Sequence, residues 1–349
     1  MTFVREADVV IVGAGVMGAA TAWALAPSGR DVVVLEQFTP AHRRGSSHGR
    51  TRIFRLSYPD ARWVRMAQRA LKLWRELEAE VGERLLAQSG GLDIGDGVAA
   101  NAAALEECGA DYELEEGRAF GRRFPGIALA PGEAVLFQPD AGVVAAELSV
   151  AAFLGSAQRR GAEVAYSQRV VALHAHAEGV EVRTDHSLYR ARVAVVTAGG
   201  WARNLLRTAG IELPVRVTRE TVAYFALDGV PPPPVVEWDA PATYCLPSPD
   251  QGVKAAQHIA GPEVDPDSEP VPNPRSVEVV CEWVRRRLPH VDPTPHHIET
   301  CLYTNTVDER FIIERHGPIV VASPCSGHGF KFAPYTGHRI GNLAQGLET

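Results

Sequence analysis

The sequence predicts an α/β protein in which a Rossmann-type nucleotide-binding domain is joined to a second, mostly antiparallel β-sheet domain. Three observations carry this expectation. A chain of 349 residues exceeds the roughly 250–300 residues that one hydrophobic core serves before a chain divides. The N-terminal stretch "DVVIVGAGVMGAATAWALAPSGRDVVVLE" joins a buried-strand run, a glycine turn, an alanine-rich helix and a second strand. Far downstream, "ARVAVVTAGGWARNLL" again runs from strand through a small-residue turn to a helix start. A strand of that kind returns to the first sheet after an excursion, so the nucleotide-binding domain is expected to be discontinuous. Its expected pieces are residues 1–80, 146–215 and 300–349, with 81–145 and 216–299 forming the second domain.

In the first unit Gly13, Gly15 and Gly18 stand in G-x-G-x-x-G order between the run Val9 to Val12 and the helical segment. The first glycine permits the tight turn, the second the close approach of a pyrophosphate to the backbone, and the third the close packing of helix on strand. Glu36 closes the second strand, where an acceptor for ribose hydroxyls belongs. The unit alone does not choose between NAD and FAD. Its position at the start of the chain, and the lack of a second fingerprint of this quality, favour FAD.

The elements that follow read in order. "MAQRALKLWRELEAEV", from Met66 to Val81, has apolar residues at helical spacing with charges between them, an amphipathic helix. "GGLDIGDG" and "AVLFQPDAGVV" read as short strands and turns. A helix from about Ala145 to Arg160 and a strand pair lead back to the first sheet. The four prolines Pro231 to Pro234 lack ladder donors and are expected at a sheet edge or in an exposed connection. The region after them reads as the second, antiparallel layer, lying over the cofactor.

Composition removes several function classes. A net charge of -7 argues against a nucleic-acid surface, which needs a clustered basic excess. The five cysteines, at 108, 245, 281, 301 and 325, show no metal spacing and no disulfide framework, as in a reducing compartment. No stretch reaches the roughly 20 apolar residues of a membrane span, and the N-terminal run is far too short for a signal sequence. A cytoplasmic protein without a metal is expected.

Three distant segments hold unusual chemistry: "GSSHGRTRIFR" with Thr51, Arg52 and Arg55; "GVKAAQHIAG" with Lys254 and His258; and the pair "CLYTNTVDERFII" and "CSGHGFKFAP" with Cys301, Tyr303, His328 and Lys331. With the N-terminal fingerprint and "TAGGW", these motifs resemble the monomeric sarcosine oxidase and N-methyltryptophan oxidase family of flavoenzymes, over nearly the whole chain.

The resemblance implies covalent FAD, bonded at its 8α-methyl to the sulfur of Cys301; by itself, a free cysteine is more often a small buried hydrophobe. It implies that Gly199, Gly327 and Gly329 join the N-terminal glycines and Glu36 at the cofactor. Arg55 and Lys331 match the residues that hold the substrate carboxylate, one as a fork and one as a point charge. Lys254 matches a lysine that helps activate O2, and His258 an active-site histidine, though a lone histidine is more often structural. Thr51 and Arg52 match residues near the flavin ring, and Tyr244 and Tyr303 line the substrate cavity, Tyr244 after a one-residue gap. Cys325 stands where an apolar residue is expected, and the chain stops sooner after "GNLAQGLET" than the resemblance leads one to expect. The implied activity is that of a monomeric oxidase, acting on a secondary amino acid and O2 to give an imine and H2O2. Which amine is not readable. A flavin dehydrogenase using another acceptor, and a non-catalytic nucleotide-binding protein, stay open on the residues alone.

Overall fold

The computed structural model describes residues 3–347. Its strands form three sheets. The first contains β1 (Phe3–Val12), β2 (Val32–Leu35), β9 (Glu163–Ala165), β10 (Val170–His176), β11 (Gly179–Thr184), β12 (Ser187–Val196), β18 (Ile312–His316) and β19 (Ile319–Ser323). β1 lies between β12 and β2, parallel to both. The outer edge of β12 is shared: residues 188–191 pair antiparallel with β11 and residues 194–196 pair parallel with β19. The return of "ARVAVV" to the first sheet is thus present in the fold.

Alternation within β1 divides the packing. Val9 and Ile11 join one buried cluster with the helices Val16–Leu25, Ala146–Arg159 and Ala333–Gln345. Val10 and Val12 join another with Leu173, Val182, Leu205 and Leu206. A parallel sheet covered on both faces needs continuous apolar strands, which is why "VVIV" and "VVVL" carry no polar break. The amphipathic helix runs over Ala61–Val81, capped by Asp60, whose carboxylate accepts the Arg62 N–H at 2.8 Å. Its buried stripe, Val64, Ala67, Ala70, Trp74 and Leu77, keeps the three-and-four spacing of one helix face.

The second sheet contains β5 (Gly91–Ile94), β6 (Glu113–Glu116), β7 (Ala134–Gln138), β13 (Arg216–Leu227), β14 (Val235–Glu237), β15 (Thr243–Ser248), β16 (Gly252–Gln257) and β17 (Val291–Asn305). Their order is β17-β13-β16-β15-β14-β5-β7-β6, with every pairing antiparallel except β14 with β5. The seam expected at residue 300 falls inside β17, which stays with this sheet to Asn305. A third, small sheet joins β3 (Thr51–Phe54), β8 (Gly142–Ala145) and β4 (Leu86–Gln88), giving Thr51 and Arg52 a rigid strand.

The proline run departs from expectation. Pro232, Pro233 and Pro234 are buried, and they feed β14, which lies between β15 and β5 inside the sheet. Proline lacks a donor but keeps its acceptor, and the Pro234 carbonyl accepts the Leu92 N–H at 2.8 Å. No helix among the described residues is long and apolar enough to cross a membrane.

β14 is braced from outside by the helix Pro274–Arg287. Arg287, 5% exposed, donates from Nε to Glu237 at 2.8 Å and from Nη1 to Glu133 at 2.8 Å, and Trp283 also donates to Glu237. Replacing Arg287 by Met would leave the buried Glu237 carboxylate with only Trp283 and the exposed Arg286 as partners, and would take the buried cation from Glu133. Denaturant unfolding of Arg287→Met should show a loss of about 3–5 kcal/mol, as when one partner of a buried pair is removed.

Candidate active site

The cofactor end of the site begins at the first glycine turn. Gly13 has φ of +99°, and a Cβ there would lie 2.7 Å from the Thr197 carbonyl oxygen, so only glycine fits. Gly18 stands behind the turn rather than on the cavity wall: a Cβ there would meet the Gly13 carbonyl at 1.9 Å. Glu36, 6% exposed, accepts the Ala14 N–H at 2.9 Å and the Phe38 N–H at 3.0 Å, which fixes its carboxylate beside the turn.

From this turn a single cavity of about 850 Å³ runs to the face of the second sheet. Gly13, Gly15, Glu36, Arg52, Arg55, Gly199, Tyr244, Lys254, His258, Cys301, Tyr303, Gly327, Gly329 and Lys331 all line it. Thr51 does not. It is buried, its hydroxyl has no partner, and it acts toward the site through its carbonyl oxygen, which accepts from the Lys254 ammonium.

Strand register explains why residues distant in sequence meet. Successive side chains on a strand point to opposite faces, so His297, Glu299, Cys301 and Tyr303 share one face of β17. Across the ladder Cys301 lies opposite Glu220, Glu299 opposite Val222 and His297 opposite Tyr224. Tyr224 in turn lies opposite Lys254 on β16, and Ala256 opposite Tyr244 on β15. The other face carries Ala223, Phe225, Cys245, Val253 and Ala255, packed with Val280, Trp283 and Val284.

At one wall Arg55, 8% exposed, lies between two aromatic faces, with its guanidinium carbon 4.0 Å from the Tyr58 ring centre and 4.8 Å from that of Trp238. Cation–π contacts of this kind offset part of the desolvation of a buried cation. Trp238 is fixed through its Nε1, which donates to Asp93 at 3.0 Å. Lys331 donates to the Tyr58 hydroxyl and to the His328 carbonyl, both at 3.0 Å, while Trp74 Nε1 donates to the Lys331 carbonyl at 2.8 Å. Burial, then the charge of Arg55, pushes Lys331 well below its ordinary value, with Asp93 opposing. Burial pushes the Asp93 carboxyl up. Arg55 Nη1 is buried with no partner, so this wall holds a free donor beside an amine whose charged form an anion would favour.

Burial, then the charge of Arg52, brings Lys254 down to about 7, against the pull of Glu299. Burial pushes the Cys301 thiol up to about 12 and Tyr244 to about 12, and raises Tyr303 well above its usual value. Glu299 accepts from the Tyr224 hydroxyl. His258 lies against Gly327, where a Cβ would be 2.8 Å from His258 Cε1 and 2.3 Å from Tyr303 Cε2. Its Nε2 is 3.8 Å from Glu309, and this neighbour holds the Glu309 carboxyl below the usual range. His328 is held between the Tyr58 hydroxyl at 3.3 Å and the Glu309 carbonyl at 3.1 Å. Burial pushes it well below the ordinary histidine value, so it is a neutral structural residue.

Asp93, Tyr58, Trp238 and Glu299 were not singled out by sequence reasoning. For Glu299 the signal was available in the alternation that ends at Tyr303; for Trp238 and Asp93 it was not, since neither stands in a motif. Cys325 accepts the Thr304 N–H through Sγ at 3.4 Å and lines the cavity. Among the described residues no cluster of His, Cys, Asp or Glu is arranged to hold a metal ion.

The donor set fits FAD on observations of this structure: a glycine turn that excludes Cβ, an acid at the strand end, and a cavity that starts at that turn and is lined by His48, whose buried Nδ1 has no partner. Comparisons with known proteins point the same way. The FAD dependent oxidoreductase family matches residues 8–343. Human peroxisomal sarcosine oxidase is 33% identical over 97% of this chain and 92% of its own. The monomeric sarcosine oxidase of Streptomyces avermitilis is 33% identical over 97% and 93% respectively. The solved structure of NikD, an unusual amino acid oxidase essential for nikkomycin biosynthesis, superposes with a TM-score of 0.89 at 29% identity, covering 97% of this chain and 94% of that one.

A carboxylate seated between Arg55 and Lys331 favours the charged ammonium and raises the depressed value of Lys331. Binding of acetate should therefore take up protons from neutral buffer. Calorimetry in buffers of different ionisation enthalpy should detect the uptake in the wild type and lose it in Lys331→Met.

Proposed function

The chain belongs to the FAD dependent oxidoreductase family, and we propose that it is a flavoprotein oxidase of secondary amino acids, carrying FAD bonded through Cys301. The observation that carries this reading is the paired cationic wall, Arg55 and Lys331, opening onto the same cavity as Cys301, Lys254 and the glycine turn. Relatives named sarcosine oxidase support the N-methyl and imino acid class of substrate. Bound FAD would accept a hydride equivalent from the carbon next to the substrate nitrogen and pass both electrons to O2, giving an imine and H2O2.

The remaining chemistry belongs to the chain. Arg55 and Lys331 hold the substrate carboxylate, the first through the unpartnered Nη1 and the second through Nζ. Tyr58 and Trp238 keep that pair in place and dry. His258, Tyr244 and Tyr303 bound the space for the amine end. No strong base is required, because the amine reacts in its neutral form. Arg52 donates to the Ser46 carbonyl at 2.8 Å and the His48 carbonyl at 2.7 Å, which fixes a positive charge on the wall beside β3. Lys254 presents the cation that stabilises developing negative charge on dioxygen. Gly15, Gly199 and Gly329 keep the cofactor wall free of side chains. The unpaired state of all five cysteines supports a reducing, cytoplasmic setting, and the relatives called monomeric support a single chain as the working unit.

Two experiments test this reading. Acid-denatured protein should keep its yellow absorbance on the polypeptide, and Cys301→Ser should release it, while the wild type releases peroxide when offered sarcosine, N-methyl amino acids or cyclic imino acids. A colourless protein, or one that turns over only with an artificial acceptor, would contradict the assignment. Because the ammonium of Lys254 is the useful form, reoxidation of the reduced enzyme by O2 should slow as pH rises through about 7. Lys254→Met should lower that rate by about 10²–10³, the effect of removing one electrostatic donor, and abolish its pH dependence.

A further inference from the structure

The turn that leaves β16 holds a backbone feature that the chemistry above does not use. Ile259, next after His258, has φ of +52°, a left-handed conformation that a β-branched residue rarely adopts because Cβ crowds the backbone. Such strain persists only where neighbours impose it. Here the neighbour is Glu220 on β13, 2% exposed. One carboxylate oxygen, Oε2, accepts the backbone N–H groups of both Ala260 at 2.9 Å and Gly261 at 2.8 Å. The other, Oε1, accepts from the Thr218 hydroxyl at 2.5 Å. Successive N–H groups converging on one anion form a nest, and a buried carboxylate requires such donors.

The turn is closed from the other side as well. Arg219 donates its N–H to the Pro262 carbonyl at 3.0 Å, and a Cβ at Gly261 would lie 2.0 Å from the Arg219 carbonyl oxygen. His258 itself donates its N–H to the Ala242 carbonyl at 2.8 Å. The histidine is thus pinned before its Cα by β15's approach and after it by Glu220. Glu220 does not line the cavity, whereas His258 does.

We propose that Glu220 is a positioning residue: its buried carboxylate draws the Ala260 and Gly261 N–H groups inward, holds Ile259 in left-handed backbone, and thereby aims the His258 ring into the cavity beside Gly327. The proposal rests on the role given to His258 under the reading above. It also assigns a purpose to a negative charge placed directly across the ladder from Cys301.

The test compares crystal structures and kinetics of the holoenzyme, with sarcosine as substrate, scored by anaerobic bleaching and by peroxide release. In Glu220→Ala, Ile259 should return to negative φ, the His258 ring should leave Gly327, and kcat/KM should fall at least about tenfold, as small misplacements at a site do. Glu220→Gln keeps an acceptor oxygen for both N–H groups and should stay within about twofold of the wild type. Adding Ile259→Gly to Glu220→Ala should recover most of the loss, because glycine enters the left-handed region without strain. A merely structural carboxylate would show no such rescue. Glu220→Asp, one methylene shorter, serves the same comparisons if the alanine variant does not fold. An unmoved His258 in Glu220→Ala, or a loss that neither glycine nor glutamine repairs, overturns the proposal. His258→Asn separates the two levels: unchanged kinetics there sink the reading of His258, whereas a change there with none in Glu220→Ala sinks only the positioning role. Should sarcosine not be a substrate, the crystal structures decide the positioning without it.

Discussion

Burying positive charge is the constraint on which the rest of this structure depends. Lys254, Arg55 and Lys331 are each under a tenth exposed, and Arg52 shares their cavity. A cation removed from water must be paired, hydrogen-bonded or pushed toward neutrality, and the protein uses all three means. Arg55 is sandwiched by Tyr58 and Trp238, Lys331 leans on a phenol and a carbonyl, and Lys254 leans on the Thr51 carbonyl with Glu299 nearby. None of these partners fully neutralises the wall. Its remaining electrostatic demand is for anions, which is what a carboxylate substrate and an electron-rich cofactor supply.

The fold meets this demand through strand alternation. The long pairing of β13 with β17 presents Glu220, Val222 and Tyr224 opposite Cys301, Glu299 and His297, and β16 adds Lys254 to the same face. The opposite face is apolar and packs on the helix Pro274–Arg287. One sheet therefore serves as a core on one side and as chemistry on the other. A slip of a single residue in β17 would turn Cys301 and Tyr303 away from the cavity, so the register is part of the site.

Much of this was legible in the sequence because it has short-range signatures. The glycine turn and its strands declare themselves by spacing, and the helix over Met66 to Val81 by its apolar stripe. The motifs around Arg55, Lys254, Cys301 and Lys331 carried the family resemblance, and the cavity gathers those residues. The rest depends on contacts across long loops. Pro231 to Pro234 were expected at a sheet edge or in an exposed connection because a donor-poor run is judged by what it lacks; Pro231 is exposed, but Pro232 to Pro234 are buried and the structure uses the Pro234 carbonyl. Trp238 and Asp93 carry no motif, and their meaning appears only once β14 lies beside β5. Thr51 was expected near the flavin ring, whereas it does not line the cavity and meets Lys254 through its carbonyl. The third sheet was not foreseen, since strands of three or four residues give too short an alternation to read.

The most direct test is a crystal structure of the yellow holoprotein with tetrahydrofuran-2-carboxylate, in which a ring oxygen replaces the reacting nitrogen and oxidation cannot proceed. The account requires its carboxylate to lie within hydrogen-bond reach of Arg55 Nη1 and Lys331 Nζ, in the cavity that also contains the flavin beside Cys301. A carboxylate bound elsewhere, with Arg55 and Lys331 still facing only each other's aromatic neighbours, would contradict it.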